Sequence, residues 1–474
     1  MKPNWIDNRL VPSASDEEIA VVDPATEEVI ETIPRGTPAD VEAAVAAGRR
    51  AQPGWAALAP TERRNALRAV AARLRDQHEA IARLLTLENG KPLAQARAEV
   101  AAAIDVTLSL SELSVHLRSG VQGAAAGDLV FQHREPRGVA GCIVPWNFPI
   151  AVGLENVVPN LAVGNTVIWK PSEKTPLSSL HIAEHCIADL PAGVVNLVLG
   201  DGPHAGEPIV ASEGVDLIVF VGSERTGRRI GELCGRMVKK VVLELGGKDP
   251  LIVDETVDVP VAARLAAEAT YANAGQICTS TERLYVQRRV FDHFRDEICR
   301  ISGSMRLGNG LEEGTQMGPL VDDLQLEKVV AQVNDALERG AEAHTGGARL
   351  NRTGYFYPPT VLTGIDDEML LMQEETFGPV APLIPFDDFD EAIELANDCR
   401  YGLAAIVCTT SAPRAIAAIE RLQAGMVKIN TMRGKAPGAT SEPFKASGLG
   451  HGYGVEILME LTRQKSVHWR GAPR

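Results

Sequence analysis

The sequence is short of positive charge. Lys and Arg number 47 against 62 Asp and Glu, leaving a formal net charge of −15. Nucleic acid and anionic membrane surfaces are held by clustered Lys and Arg, so neither is expected as a partner. No apolar run spans a bilayer: the most apolar stretch, 138–154, is interrupted by Pro145, Asn147 and Pro149. The opening Met1-Lys2-Pro3-Asn4-Trp5-Ile6-Asp7 has no signal-peptide apolar core, which makes a cytoplasmic protein the expectation. There is no Cys-x-x-Cys. The seven cysteines, Cys142, Cys186, Cys234, Cys278, Cys299, Cys399 and Cys408, are odd in number and scattered. That is the pattern of reduced thiols, and no disulfide framework or metal site is expected. Internal repeats and low-complexity tracts are also missing.

What is present is an ordinary globular balance, 45% hydrophobic and 23% charged, over 474 residues. That length suits two or three domains with a sizeable core. Short strand-like runs open the chain, with a turn at Asp23-Pro24. The regions 38–74 and 77–110 have helical periodicity, and Thr37-Pro38 reads as a cap followed by proline at the first helical position. From Gly138 strands and helices alternate. Strands are predicted at 139–144, 166–169, 194–199, 217–221 and 240–244, with a helix over 224–237. A second α/β set follows Gly247: strands at 251–253 and 283–286, helices over 259–274, 291–302 and 321–338, and strands near Ala341 and Val361. Alternation at this spacing means parallel sheets covered by helices, with a natural domain cut near Gly246-Gly247. The tail 463–469 reads as an exposed strand, and an open strand edge is a candidate contact between subunits.

Cys278 and Glu244 are the candidate chemical pair. A thiol acts as a nucleophile once deprotonated, and a thioester is cleared by an activated water; a cysteine and a glutamate at one site meet both needs. In a parallel sheet, ligands lie at the carboxyl ends of the strands. The residues there are Pro145-Trp146-Asn147, Lys170-Pro171-Ser172-Glu173, Gly200-Asp201-Gly202 and Gly222-Ser223. Lys170 suits ribose hydroxyls or phosphate, and the helix start after Ser223 suits an anion. Taken alone, the run from Gly222 to Gly227 is not the Gly-x-Gly-x-x-Gly fingerprint, and turn glycines give the same pattern.

Six segments occur in order: Pro145-Trp146-Asn147-Phe148-Pro149, Lys170-Pro171-Ser172-Glu173, Phe220-Val221-Gly222-Ser223, Glu244-Leu245-Gly246-Gly247-Lys248, Gly275-Gln276-Ile277-Cys278 and Glu374-Glu375-Thr376-Phe377-Gly378-Pro379. Together they resemble the aldehyde dehydrogenase superfamily, across essentially the whole chain from Val22-Asp23-Pro24 to Ser447-Gly448-Leu449-Gly450. The resemblance implies a Rossmann-like NAD-binding domain (1–115 and 135–246), an α/β catalytic domain (247–448) and a small β oligomerisation arm (116–134 and 455–474). It also implies a homodimer or homotetramer. It makes Cys278 the nucleophile, Asn147 an oxyanion donor beside the backbone N–H of Cys278, and Glu244 the activator of the hydrolytic water. Lys170 and Glu173 would hold the adenine ribose, Ser223 the pyrophosphate, and Glu375 with Phe377 the nicotinamide end. Pro145, Trp146, Ser172, Gly202, Gly222, Leu245 and Gly246 would complete the cofactor site. The Glu173 carboxylate favours NAD over NADP, because it repels a 2′-phosphate.

The sequence departs from the family pattern in three places. The C-terminal signature is degraded to Glu442-Pro443-Phe444-Lys445-Ala446-Ser447-Gly448. Gly450-His451-Gly452 stands where Gly-Arg-Glu is common, and Val455 falls where a second glutamate is expected; His451 and His468 are read as surface or packing histidines. Glu155 occupies the position that carries an arginine in relatives acting on succinic semialdehyde, and Arg433-Gly434-Lys435 replaces an aromatic wall. With Ile277 and Thr279 flanking the thiol, Glu155, Arg433, Lys435 and Val455 suggest a pocket for a small polar aldehyde. An alternative is that Glu155 only pairs with Arg433 or Lys435, or that the loop points to solvent. Two further readings are a CoA-acylating semialdehyde dehydrogenase, which typically lacks the glutamate at 244, and a non-catalytic relative.

Overall fold

A computed structural model describes residues 1–122, 128–432 and 438–470. Its centre is a strand group, Val139–Ile143, Thr166–Lys170 and Leu217–Val221, in which every residue is buried. Strands buried on both faces are the mark of a parallel sheet covered by helices on each side. Side-chain alternation assigns the two faces. Ala140, Cys142, Val167, Trp169, Leu217 and Val219 share one core cluster with the helices Pro60–Asp76, Leu93–Val115 and Ala151–Val163. Val139, Ile143, Ile168, Ile218 and Phe220 share another with the helices Pro38–Ala57 and Glu224–Arg236.

Among the described residues this sheet has eight strands. Lys240–Glu244 runs parallel to Leu217–Val221. Asn4–Ile6, with Arg9–Val11 outside it, and Gly448–Leu449 extend the sheet antiparallel from the two ends of the chain. A second sheet of seven strands contains the parallel run Thr360–Thr363, Val380–Phe386, Thr281–Gln287, Asp249–Val253, Ala404–Cys408 and Met426–Ile429. Helices Val259–Tyr271, Phe291–Ser304 and Asp323–Glu338 cover one face, and Phe389–Asn397 and Ala412–Arg421 the other.

The mixed α/β fold with parallel sheets is the expected one. The two N-terminal helical regions each divide in two. The first breaks at Leu58-Ala59, before Pro60 starts Pro60–Asp76. The second breaks where Gly90 closes His78–Asn89 in a left-handed conformation and Pro92 precedes Leu93–Val115. Thr37 caps as expected: its side chain accepts from the Asp40 N–H at 3.2 Å. The tail forms the strand Thr462–Arg470, paired along its length with Asp128–Pro136. Among the described residues its other edge has no strand beside it.

Candidate active site

The carboxyl end of Lys240–Glu244 in the first sheet meets the amino end of Thr281–Gln287 in the second, and the candidate pair sits at this junction. Glu244 Oε1 lies 3.9 Å from Cys278 Sγ. The contact depends on two glycines. A Cβ on Gly247 would fall 2.5 Å from the Cys278 carbonyl oxygen, and one on Gly275 would fall 2.1 Å from that of Gly378. Only backbones without side chains approach this closely.

The turn before Cys278 is strained. Asn273 and Ala274 have φ of +51° and +55°, in the left-handed region that costs a non-glycine residue about 1 kcal/mol or more. A hydrogen-bond web holds it. The Asn273 side chain donates to Asn147 O at 3.1 Å, and Gln276 Nε2 donates to Asn273 O at 2.9 Å. Asn147 Nδ2 donates to Gln276 O at 3.0 Å. An amide nitrogen carries two N–H groups, so Asn147 has a second donor beyond this bond.

Asn147 itself rests on an ion pair that sequence reasoning missed. Lys91 and Glu99, both with fully buried side chains, meet at 2.5 Å. Lys91 Nζ also donates to Asn147 O at 2.6 Å, and Glu99 Oε1 accepts from the Ile150 N–H at 3.0 Å. Burial pushes the Lys91 ammonium down from its ordinary value, against the pull of Glu99. Breaking a buried pair from one side strands the other charge. Lys91→Met is therefore expected to destabilise the protein by about 3–5 kcal/mol in a denaturant melt, and a loss below about 1 kcal/mol would contradict this account.

The third wall is the loop at Glu375. Glu282, four residues after Cys278, accepts from the Thr376 and Phe377 N–H groups and from Lys248 Nζ, each at 2.7 Å. It thereby anchors Phe377, whose φ is +55°. The Phe377 ring stands edge-on to Trp146 at 5.4 Å. Glu375 Oε1 accepts from the Gly247 N–H at 3.1 Å, and a Cβ on Gly246 would lie 2.8 Å from it. Burial, aided by Glu282, pushes the Glu375 carboxyl up to about 7. Glu282 carries little signal in the sequence, since charged residues read as surface by default.

A cleft of about 700 Å³ opens at the carboxyl ends of the first sheet. It is lined by Pro145, Trp146, Lys170, Ser172, Glu173, Gly202, Gly222 and Ser223. Lys170 is buried and its Nζ stands 3.6 Å from Glu173; burial lowers its basicity. Ser223 caps Glu224–Arg236, so that helix points its free N–H groups at the cleft. Size, glycine-lined walls, a buried cation and a helix start fit a dinucleotide. Leu245 lies away from this cleft, in a groove between Glu224–Arg236 and the residues Lys445, Ala446, Gly448 and Leu449.

Of the residues expected at the substrate end, Ile277 and Thr279 flank Cys278 and are half-buried. Glu155 is buried and lines a small cavity together with Glu244. Val455 is half-buried in the helix Gly454–Glu460 and is not among that cavity's lining residues. Arg433 and Lys435 lie outside the described residues. His451, read as a surface or packing histidine, is half-buried and lines the cavity of Glu244. Among the described residues no group of three or more His, Cys, Asp or Glu could hold a metal, and no helix is long and apolar enough to cross a membrane.

A dinucleotide-sized cleft at the carboxyl ends of one sheet, with a thiol and a carboxylate at the junction with the other, fits an NAD(P)-dependent oxidoreductase of the α/β class. The chain matches the aldehyde dehydrogenase family over residues 10–467. It is 37% identical to a mitochondrial aldehyde dehydrogenase of Leishmania tarentolae, over 98% of this chain and 94% of that one. It is 36% identical to the lactaldehyde dehydrogenase of Escherichia coli, over 98% of each. An NAD+ complex of aldehyde dehydrogenase from Bacillus cereus superposes with a TM-score of 0.97 at 34% identity, covering 99% of this chain and 96% of that one. The chain belongs to the aldehyde dehydrogenase family, and its reaction is the NAD(P)-dependent oxidation of an aldehyde.

Proposed function

We propose that this protein oxidises a small polar aldehyde to the free carboxylic acid with NAD+, through a thioester on Cys278 that Glu244 helps to hydrolyse. The observation that carries this reading is the carboxylate 3.9 Å from the thiol. Cys278 attacks the aldehyde carbon, and the oxygen that gains charge is met by the second N–H of Asn147 and the backbone N–H of Cys278. NAD+, when bound, accepts the hydride that leaves that carbon. Glu244 then takes a proton from water as the water attacks the thioester.

In this reading residues 1–115 and 135–246 bind the dinucleotide and 247–448 carry the reacting thiol. Lys170 and Glu173 hold the adenine ribose, Ser223 faces the pyrophosphate, and Glu375 with Phe377 orients the nicotinamide end. A carboxylate at Glu173 accepts from ribose hydroxyls and repels a 2′-phosphate. The buried Glu155 lines the same cavity as Glu244, and this second carboxylate in the wall supports a polar substrate. The segments 116–134 and 455–474 form the arm. The open edge of Thr462–Arg470 pairs with a second copy, giving a homodimer or homotetramer.

An aldehyde panel on the purified protein tests this. Without CoA, NADH is expected from glycolaldehyde or lactaldehyde with kcat/KM at least about tenfold above benzaldehyde, and NAD+ preferred over NADP+ by a similar factor. Strict dependence on CoA would overturn the free-acid reading, and a preference for benzaldehyde would overturn the polar pocket.

A further inference from the structure

His451 is held as a proton-transfer group would be. Its Nδ1 donates to Glu460 Oε1 at 2.7 Å, and its backbone N–H donates to the same oxygen at 3.1 Å. Glu460 is fixed in turn by a contact with Lys240, on the same strand as Glu244. A carboxylate bonded to one ring nitrogen sets the tautomer and leaves Nε2 to exchange protons. That nitrogen lies 3.8 Å from Oε2 of Glu442, whose side chain is 64% exposed and so reaches bulk water.

His451 is also a wall residue of an inner cavity. It lines a cavity of about 30 Å³ with Glu244, Glu155, Asn156 and Ser441. A water needs about 10–15 Å³ of such space and two to four polar partners, so this cavity suits one or two. Glu244 reaches it directly: its Oε2 is 3.8 Å from where a Cβ on Gly452 would stand, next in the chain to His451. A side chain at 452 would fill the gap that glycine leaves open.

We propose that His451 relays the proton of the hydrolytic water from Glu244 to solvent, through water in this cavity. The inference rests on the thioester reading above. In that step the water oxygen bonds to the thioester carbon and its proton passes to Glu244. The C–S bond then breaks, and its electron pair leaves on the Cys278 sulfur. Glu244 must lose that proton before the next turnover, and His451 Nε2 receives it and releases it toward Glu442. The charged and titratable groups around His451 are Glu460 and Tyr453 on its own C-terminal segment, Glu442 on the preceding loop, Lys240 and Glu244 on the strand beneath, Glu155 on Ala151–Val163, and Arg137, whose Nε donates to Glu460 O. Burial opposes ionisation of Glu460, but its bonds from Lys240 and His451 prevail and hold its carboxyl below the ordinary value.

His451→Gln keeps a donor for Glu460 and removes the proton acceptor. It is expected to lower kcat about tenfold, a small part of the usual general acid–base effect, and to expose a burst of NADH ahead of slow turnover. The acid limb of the kcat–pH profile should flatten, and added imidazole should restore part of the rate. His451→Asn, read the same way, serves if the first variant does not fold. A kcat within twofold of the parent, or a loss that imidazole leaves untouched while the burst slows in parallel, overturns the relay. A parent protein that makes no NADH from any aldehyde overturns the function proposed above, a different result.

Discussion

Cys278→Ser is expected to lower NADH formation by about 10⁴-fold or more while leaving NAD+ affinity within about twofold. A serine hydroxyl in this place lacks the thiol's acidity, so it presents almost no anion to the aldehyde carbon. Five of the other six cysteines offer no substitute. Burial pushes the thiols of Cys186 and Cys408 up to about 12, and those of Cys142, Cys234 and Cys299 also rise above the ordinary range. A buried thiol that stays protonated is a poor nucleophile. Cys278 is only half-buried, at the junction of the two sheets. The affinity half of the result follows from where the cleft lies: the 700 Å³ space is lined from the first sheet and its helices, and Cys278 is not among its lining residues. Calorimetric titration with NAD+ and steady-state NADH formation measure the two quantities. If the serine variant kept a hundredth of the parent rate, Cys278 would not be the nucleophile.

The parts of this site that the sequence displays are those whose signal is local. Val139–Ile143 and Leu217–Val221 are short apolar runs closed by glycine or proline, and their bounds fall within a residue of the expected ones. Thr37 and Ser223 precede their helices in plain view. The proximity of Glu244 to Cys278 follows from motif order, given the family resemblance. What stays hidden is long-range. Gly448–Leu449 joins the first sheet beside Lys240–Glu244 across about two hundred residues of intervening chain, and nothing local marks a two-residue edge strand. Lys91 and Glu99, and Glu282 beside the motif residue Lys248, look like surface charges until the fold buries them in pairs. Ala274, left-handed at φ +55°, carries no sequence sign of that conformation, because alanine has no preference for it. His451 reads as a surface or packing histidine for the same reason: Glu244 is 207 positions upstream (451 minus 244), and only the return of the C-terminal segment onto the first sheet brings them to one cavity.

Glu244→Gln separates the two tasks that a carboxylate 3.9 Å from a thiol could perform. If Glu244 serves hydrolysis, as proposed, the variant still forms the thioester: about one NADH per active site appears at the parent rate, and steady turnover then falls about 10²–10⁴-fold. The acyl group should be found on Cys278 by mass spectrometry, and hydroxylamine, which attacks thioesters without a base, should restore turnover. If Glu244 instead served mainly to deprotonate Cys278, the burst itself would slow by a similar factor and hydroxylamine would recover nothing. The substitution is a fair test because the position is held through its backbone. Glu244 O accepts from the Gly222 N–H at 3.0 Å, the next residue donates to Ser447 O at 2.8 Å, and Val221 and Gly448 flank it in register. None of these bonds involves the carboxylate, and glutamine has nearly the same shape, so these backbone bonds remain while proton transfer is lost. A variant that turned over at the parent rate would remove Glu244 from the reaction altogether, and with it the reason to expect a free acid.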